Sequence, residues 1–303
     1  MNQPAGYAEL LAGLARDFDV LPDMPEETAE STLRALWAQV MGQSVSAQLS
    51  LVTPLRELDA GEMQDLQALI RRRQDGEPLA HITGRQHFCG LELLAGPAAL
   101  VPRRETEILA RAVLDRIQQA QSSRPRVIDV CTGCGNLPLV YAQHFPGAMI
   151  LAADLSEEAI ALANRNRDFT GLTDNVQFAA GDLLAPFDTA ELRETVDVIS
   201  CNPPYISSRK VSAMAPPIAR HEPAMAFDGG PFGISILQRL ISEAPPLLRP
   251  GGWLVFEVGL GQGPALVKKL QRLPRFDAVE THSDDAGDIR VVAARKAQQG
   301  IKA

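Results

Sequence analysis

Three hundred and three residues, 46% hydrophobic and 22% charged, suffice for two domains with ordinary cores, which excludes a disordered tail or a disulfide-stapled miniprotein. Lys and Arg number 29 against 37 Asp and Glu, and the formal charge of −8 has the wrong sign for a surface that grips polyphosphate throughout. Cys89, Cys131, Cys134 and Cys201 are too few and too unevenly spaced for a disulfide framework and point to a reducing compartment. The N-terminus lacks the basic-then-apolar order of a secretory signal, and no apolar run reaches the ~18 residues of a membrane span. The expectation is a soluble, cytoplasmic chain without membrane contact.

Residues 28–73 have helical periodicity: Leu33, Leu36, Trp37, Val40 and Met41 fall at i, i+3, i+4, i+7 and i+8, and Leu66, Leu69 and Ile70 repeat the stripe. A small all-α domain is predicted over 1–75. Over 76–102 short β-leaning runs are broken by Gly84, Gly90, Gly96 and Pro97, which predicts a hairpin-bearing linker. A helix over 105–119, with Ile108, Leu109, Val113 and Ile117 on one side, opens a second domain over 103–303. Beyond Arg126, apolar β runs alternate with helical ones, as in a mostly parallel sheet covered on both faces. The predicted fold class is therefore α/β, a doubly wound sheet. The closing residues 281–296 predict a last strand lying antiparallel on the sheet edge.

Ligands in such sheets sit beyond the carboxyl ends of the strands, where the chain order reverses. Strand one ends in Asp129-Val130-Cys131-Thr132-Gly133-Cys134-Gly135, a small-residue turn that brings backbone N–H groups close to a ligand. Asp154, 25 residues past Asp129, ends strand two and suits ribose hydroxyls. Strand three ends in Gly181-Asp182-Leu183-Leu184, where a carboxylate and an apolar wall suit an adenine. Taken singly these signals are weak, since such a turn equally serves a short strand–helix connection and Asp154 or Ser156 a helix cap. Their order along one sheet carries the weight.

Strand four ends in Cys201-Asn202-Pro203-Pro204-Tyr205. Two prolines cannot donate ladder hydrogen bonds, so the segment leaves the sheet with its carbonyls outward. Asn202 offers a side-chain carbonyl, Pro203 a backbone carbonyl and Tyr205 an aromatic face, together a cradle for a planar –NH2 group. A rigid Pro-Pro turn is the bland alternative. The Cys131-x-x-Cys134 pair also permits a redox reading, and with no second cysteine pair a structural metal is not expected.

At these residues the chain resembles the S-adenosylmethionine-dependent methyltransferases that act on planar amino groups. It is most similar to the protein-(glutamine-N5) methyltransferases of peptide chain release factors. The resemblance extends to Gly76-Glu77-Pro78-Leu79-Ala80, to Val101-Pro102-Arg103-Arg104-Glu105-Thr106-Glu107, to His221-Glu222-Pro223 and to Phe227-Asp228-Gly229-Gly230. It implies a Rossmann-like class I methyltransferase domain, with the N-terminal helical domain docking the substrate. It further implies that residues 131–135 wrap the methionine part of the cofactor, that Asp154 holds the ribose and that Asp182 and Leu183 border the adenine, with Asp129 and Leu155 also among the cofactor-binding residues. Asn202 would touch cofactor and substrate, and Pro203, Pro204, Tyr205, Arg103 and Glu105 the substrate. The release factor is the implied protein partner, with a monomeric enzyme and no stable nucleic acid.

Two departures stand out. In the cofactor turn Cys131 replaces the usual first glycine, a cysteine there resembling the sister enzymes that methylate a ribosomal-protein glutamine, Cys134 replaces the usual serine and Pro138 falls in the first turn of the following helix; Arg104 stands where the release-factor enzymes commonly have proline. Open alternatives are a nucleic-acid amino-methyltransferase acting on adenine N6 or guanine N2, a paralogue methylating another amide, and a binding module without catalysis. The one basic cluster is Arg71-Arg72-Arg73 with Arg85, Arg103 and Arg104, whose bland meaning is a solvated helix end.

Overall fold

The computed structural model describes residues 4–16, 18, 20–211 and 222–298. These form two compact units, one holding the described residues up to Arg104 with Glu222 and Pro223, the other 105–211 and 224–298. Among the described residues no helix is long and apolar enough to cross a membrane.

The first unit contains α1 (Tyr7–Ala15), α2 (Ala29–Val40), α3 (Ala47–Ser50), α4 (Ala60–Gln74) and α5 (Leu79–Thr83), then a hairpin of β1 (Arg85–Phe88) and β2 (Leu91–Leu94). Capping boxes start the two long helices: Thr28 with Ser31 for α2 and Asp59 with Glu62 for α4, each side chain satisfying the other residue's N–H. The predicted stripe is the buried face, for Leu33, Leu36, Trp37, Leu66 and Ile70 share one core with Tyr7 and Leu14. The hairpin lies in this unit, where the Ser46 N–H donates to Glu92 at 2.7 Å. Arg72 pairs with Glu77 at 2.6 Å and Arg73 with Glu27 at 3.0 Å, so much of the basic cluster is neutralised within its own unit.

The second unit is the predicted doubly wound sheet. Its helices are α6 (Thr106–Gln119), α7 (Asn136–His144), α8 (Glu157–Thr170), α9 (Ser208–Val211), α10 (Ser235–Glu243) and α11 (Gly263–Gln271). Its strands are β3 (Arg126–Val130), β4 (Met149–Asp154), β5 (Val176–Ala180), β6 (Val196–Cys201), β7 (Leu248–Glu257), β8 (Phe276–Ser283) and β9 (Ile289–Lys296), in the order β5-β4-β3-β6-β7-β9-β8. The five strands from β5 to β7 run parallel. Every residue of β6 is buried, as a central strand covered on both faces requires.

One expectation is corrected at the sheet's end. The last strand, β9, is antiparallel as predicted but lies inside the sheet between β7 and β8, and β8 takes the edge. Residues 290–294 of β9 are all buried, whereas β8 alternates irregularly with exposed Asp277, Glu280 and Thr281. A continuous apolar run needs cover from two neighbours, and a polar one tolerates an open edge.

From β3 the chain winds outward through β4 to β5, then returns to place β6 on the other side of β3. The crevice at this reversal opens beyond Val130 and Cys201.

Candidate active site

The turn after β3 is tied to the end of β4. The Thr132 N–H donates to the Ala153 carbonyl at 3.1 Å and the Gly133 N–H to Asp154 Oδ2 at 2.8 Å. Asp154 Oδ1 accepts from the Ser156 N–H at 2.9 Å, so this half-buried carboxylate shapes the turn and the start of α8 while each oxygen keeps a second lone pair. Gly133 and Gly135 adopt φ of 55° and 81°, which side chains disfavour, and a Cβ on Gly135 would strike the Phe178 ring at 2.8 Å. Cys131 adopts φ of 57° with a side chain present, a strained choice where glycine would carry no penalty. Pro138 stands in the first turn of α7, where its missing N–H breaks no helical bond.

Behind the turn lies Asp129, fully buried. Its Oδ1 accepts the Ser200 hydroxyl at 2.6 Å across the β3–β6 pairing, while its Oδ2 and the Thr132 hydroxyl are buried without a hydrogen-bond partner. Burial pushes the Asp129 carboxyl up to about 7, and the neighbouring Ser200 and Thr132 hydroxyls, which favour its charged form, offset only part of that. Burial also pushes the Cys134 thiol up to about 12, so it stays a neutral thiol. Among the described residues no cluster of His, Cys, Asp and Glu would hold a metal ion.

The other expected cofactor residues are placed unevenly. Leu155 is exposed at 60% and stands free beside Asp154. Asp182 is ion-paired with Arg239 of α10 at 3.0 Å, and the Leu183 side chain packs into the core, so Leu183 can offer a ligand its backbone rather than an apolar wall. Arg103 and Glu105 fall in different units. In the first unit Arg103 is bound to Glu222 at 2.6 Å, and Glu222 also accepts the Val101 N–H at 3.0 Å; the guanidinium is thus engaged by its own chain. His221 lies outside the described residues.

The Asn202-Pro203-Pro204-Tyr205 segment leaves β6 and is held from several sides within the second unit. Asn202 Nδ2 donates to the Thr106 hydroxyl at 3.1 Å, and the Tyr205 hydroxyl to Glu105 Oε1 at 3.0 Å. Glu105 Oε2 in turn pairs with the buried Arg290 at 2.5 Å. Burial, with the Glu257 and Glu105 carboxyls nearby, pushes the Tyr205 phenol up, so it stays neutral. Gln262 Nε2 donates to the Tyr205 carbonyl at 3.0 Å, and the Ile206 N–H reaches the Phe227 carbonyl at 2.9 Å. The Gly229 N–H donates to the Ile206 carbonyl at 2.8 Å, and a Cβ at Gly229 would lie 2.5 Å from the Pro204 carbonyl. The tandem prolines are therefore clamped as a rigid strip. Asn202 Oδ1 accepts no hydrogen bond from any described residue.

Thr106, Ser200, Glu257, Gln262 and Arg290 were not anticipated. Glu257 had a readable signal, because it ends the strand beside β6 and the rule applied to the first four strand ends covers a fifth. Arg290 carries no local signal, since β9 reaches the site only by inserting between β7 and β8.

Residues 103–230, which carry the sheet reversal, match the Methyltransferase small domain, with 19–84 matching the PrmC N-terminal domain. Release factor glutamine methyltransferases from Gloeobacter violaceus and Geobacter sulfurreducens are 37% and 34% identical to this chain over 230 and 240 residues. These alignments span 76% and 79% of the chain and 78% and 81% of the relatives. That of Bradyrhizobium diazoefficiens is 33% identical over 89% of both. The chain belongs to this family, and it is a methyltransferase. Among solved structures, the catalytic domain of human Mettl16 with an RNA hairpin matches at a TM-score of 0.52, with 17% identity over 80% of this chain and 84% of that one. The human methyltransferase 10 domain containing protein matches at 0.50, with 18% identity over 77% and 98%. Both likenesses show the fold.

Cys131→Gly removes the strained φ and is expected to leave the denaturation midpoint at or above the parent's, whereas the β-branched Cys131→Val should lower stability by about 1–3 kcal/mol. Urea unfolding of the two variants checks this. Gly229→Ala should cut methyl transfer at least tenfold by displacing the proline strip, while circular dichroism keeps the parent spectrum.

Proposed function

We propose that this chain transfers the methyl group of S-adenosylmethionine to the side-chain N5 of a glutamine, that of the Gly-Gly-Gln loop of peptide chain release factors, acting in the cytoplasm as a monomer without a stable nucleic-acid partner. The observation that carries the reading is the clamped Asn202-Pro203-Pro204-Tyr205 strip at the sheet reversal, with Asn202 tied inward through Nδ2 and its Oδ1 left open. The names of the relatives supply the protein substrate.

The turn fits the cofactor. Asp129 Oδ2 and the Thr132 hydroxyl are buried polar atoms facing each other at the turn, and Gly133 and Gly135 hold the turn in left-handed geometry at the strand end. When bound, S-adenosylmethionine supplies an electrophilic sulfonium methyl. The 131–135 turn and Asp129 would hold its methionine part, Asp154 its ribose, and Asp182 with the Leu183 backbone its adenine.

An amide nitrogen is a poor nucleophile because its lone pair is delocalised into the carbonyl. Asn202 Oδ1 and the Pro203 carbonyl would each accept one N–H of the substrate amide, fix its plane and favour electron density on nitrogen. Tyr205, its hydroxyl anchored on Glu105, limits tilt of the amide. Orientation of this kind supplies several kcal/mol, within the ~7–11 kcal/mol available to well-aligned reactants. No strong base is required, since a methylated amide cation sheds its proton readily. Arg72, Arg73 and Arg103 are paired with Glu77, Glu27 and Glu222, which weighs against a phosphate-gripping groove and the nucleic-acid alternative.

The test is transfer of labelled methyl from S-adenosylmethionine to a purified release factor and to its Gly-Gly-Gln→Gly-Gly-Ala variant, with ribosomal protein and tRNA as parallel acceptors. Label on the factor alone supports the reading; label on tRNA alone overturns it. Asn202→Ala is expected to lower kcat by about 100-fold or more while cofactor affinity changes by severalfold at most, and unchanged turnover would remove Asn202 from the mechanism.

A further inference from the structure

Glu257 ends β7, the strand beside β6. Cys201 is paired with Phe256, so Glu257 is level with Asn202. Its side chain is 1% exposed, and the Thr106 and Tyr205 hydroxyls are the hydrogen-bonding groups beside its carboxyl. A buried carboxyl with no ion-pair partner of its own is costly, so its retention calls for a reason.

The groups that face it are Glu105 and Thr106 at the start of α6, Tyr205 after β6 and Arg290 of β9. Three of these are committed elsewhere, for Arg290 pairs with Glu105 and the Tyr205 hydroxyl donates to Glu105. Thr106 is different. Its oxygen accepts from Asn202 Nδ2, and its hydroxyl is the hydrogen-bonding neighbour that favours the charged form of Glu257.

The Thr106 hydroxyl hydrogen decides which way Asn202 faces. A hydroxyl can accept from an amide NH2 or donate to an amide oxygen, and the two ends of an asparagine amide have nearly the same shape. A reversed Asn202 would present NH2 to the substrate's NH2, donor against donor. An ionised carboxylate beside Thr106 is acceptor-only, so it claims the hydroxyl hydrogen and leaves the oxygen only an accepting role. We propose that Glu257 is a positioning residue, which through the Thr106 hydroxyl holds Asn202 with Nδ2 inward and Oδ1 toward the substrate amide. This rests on the methyl-transfer reading above.

The arrangement has a pH signature. Burial, then the nearby Glu105, pushes the Glu257 carboxyl up to about 7, against Thr106, Arg290 and Tyr205. Above that pH Glu257 is charged and Asn202 is aligned. Below it the acid can donate to Thr106, whose hydrogen is then free to turn to Asn202 Oδ1. Activity should therefore rise with pH through about 7.

The test uses the full chain and two readouts. In the first, kcat against pH with a methyl-accepting release factor should have an acidic limb near pH 7 in the parent and none in Glu257→Gln. Glu257→Gln and Thr106→Val should each lower kcat about tenfold with KM for S-adenosylmethionine within twofold, and the double variant should be no worse than Thr106→Val. In the second, which needs no substrate, the Asn202 side-chain NH2 signal of asparagine-labelled protein should shift with an apparent pKa near 7, a shift absent in Glu257→Gln. An NH2 signal that does not titrate, or an acidic limb that persists in Glu257→Gln, overturns the proposal. A titrating signal in protein that methylates no release factor upholds the positioning of Asn202 and sinks only the substrate assignment.

Discussion

The reversal of winding between β3 and β6 is the constraint on which the site depends. At that point the chain leaving each strand turns to opposite faces of the sheet, so no connection covers the gap between them. Into it project the ends of two neighbouring strands, one carrying a left-handed turn and the other a proline strip. Ser200 and Asp129 bridge the same two strands one step below, which joins the 131–135 turn to the strip that follows β6.

A proline strip alone would be stiff but not located. Here its position comes from groups far apart in the chain: Thr106 and Glu105 from the start of α6, the 227–230 loop, Gln262 before α11 and Arg290 from β9. Most of these contacts end on backbone carbonyls or on the polar tips of Asn202 and Tyr205. They set atoms rather than fill volume, and the close approach of Gly229 to the Pro204 carbonyl leaves no room for a side chain. The same enclosure creates the buried carboxyls Asp129 and Glu257, whose charged forms are disfavoured by the lack of water.

Much of this was legible along the chain. The alternation of apolar runs and amphipathic helices announced a covered parallel sheet, and the strand-end rule found the 131–135 turn, Asp154 and the Asn-Pro-Pro-Tyr strip. Less legible were the partners that each residue chooses. The counter-charges of Arg103 and Asp182, Glu222 and Arg239, could not be read from the chain, because a charged side chain takes the counter-charge that folding brings near. Leu183 read as a wall and joined the core. The interior place of β9 was hidden because the position of a strand within a sheet depends on long-range pairing, not on its own residues.

The sequence by itself determined what is local and chemical: the helix caps, the strand and helix periods, the proline strip with its two carbonyl acceptors, and a turn small enough to admit a ligand. These follow from backbone geometry and hydrogen-bonding capacity, which each residue carries wherever it goes. Only the tertiary structure decided which way Asn202 turns, that Tyr205 is anchored on Glu105, itself paired with Arg290, and that Glu257 is buried beside Thr106. Those outcomes depend on burial and on neighbours about a hundred residues away, where the loss of water makes a single unpaired hydrogen or charge decisive.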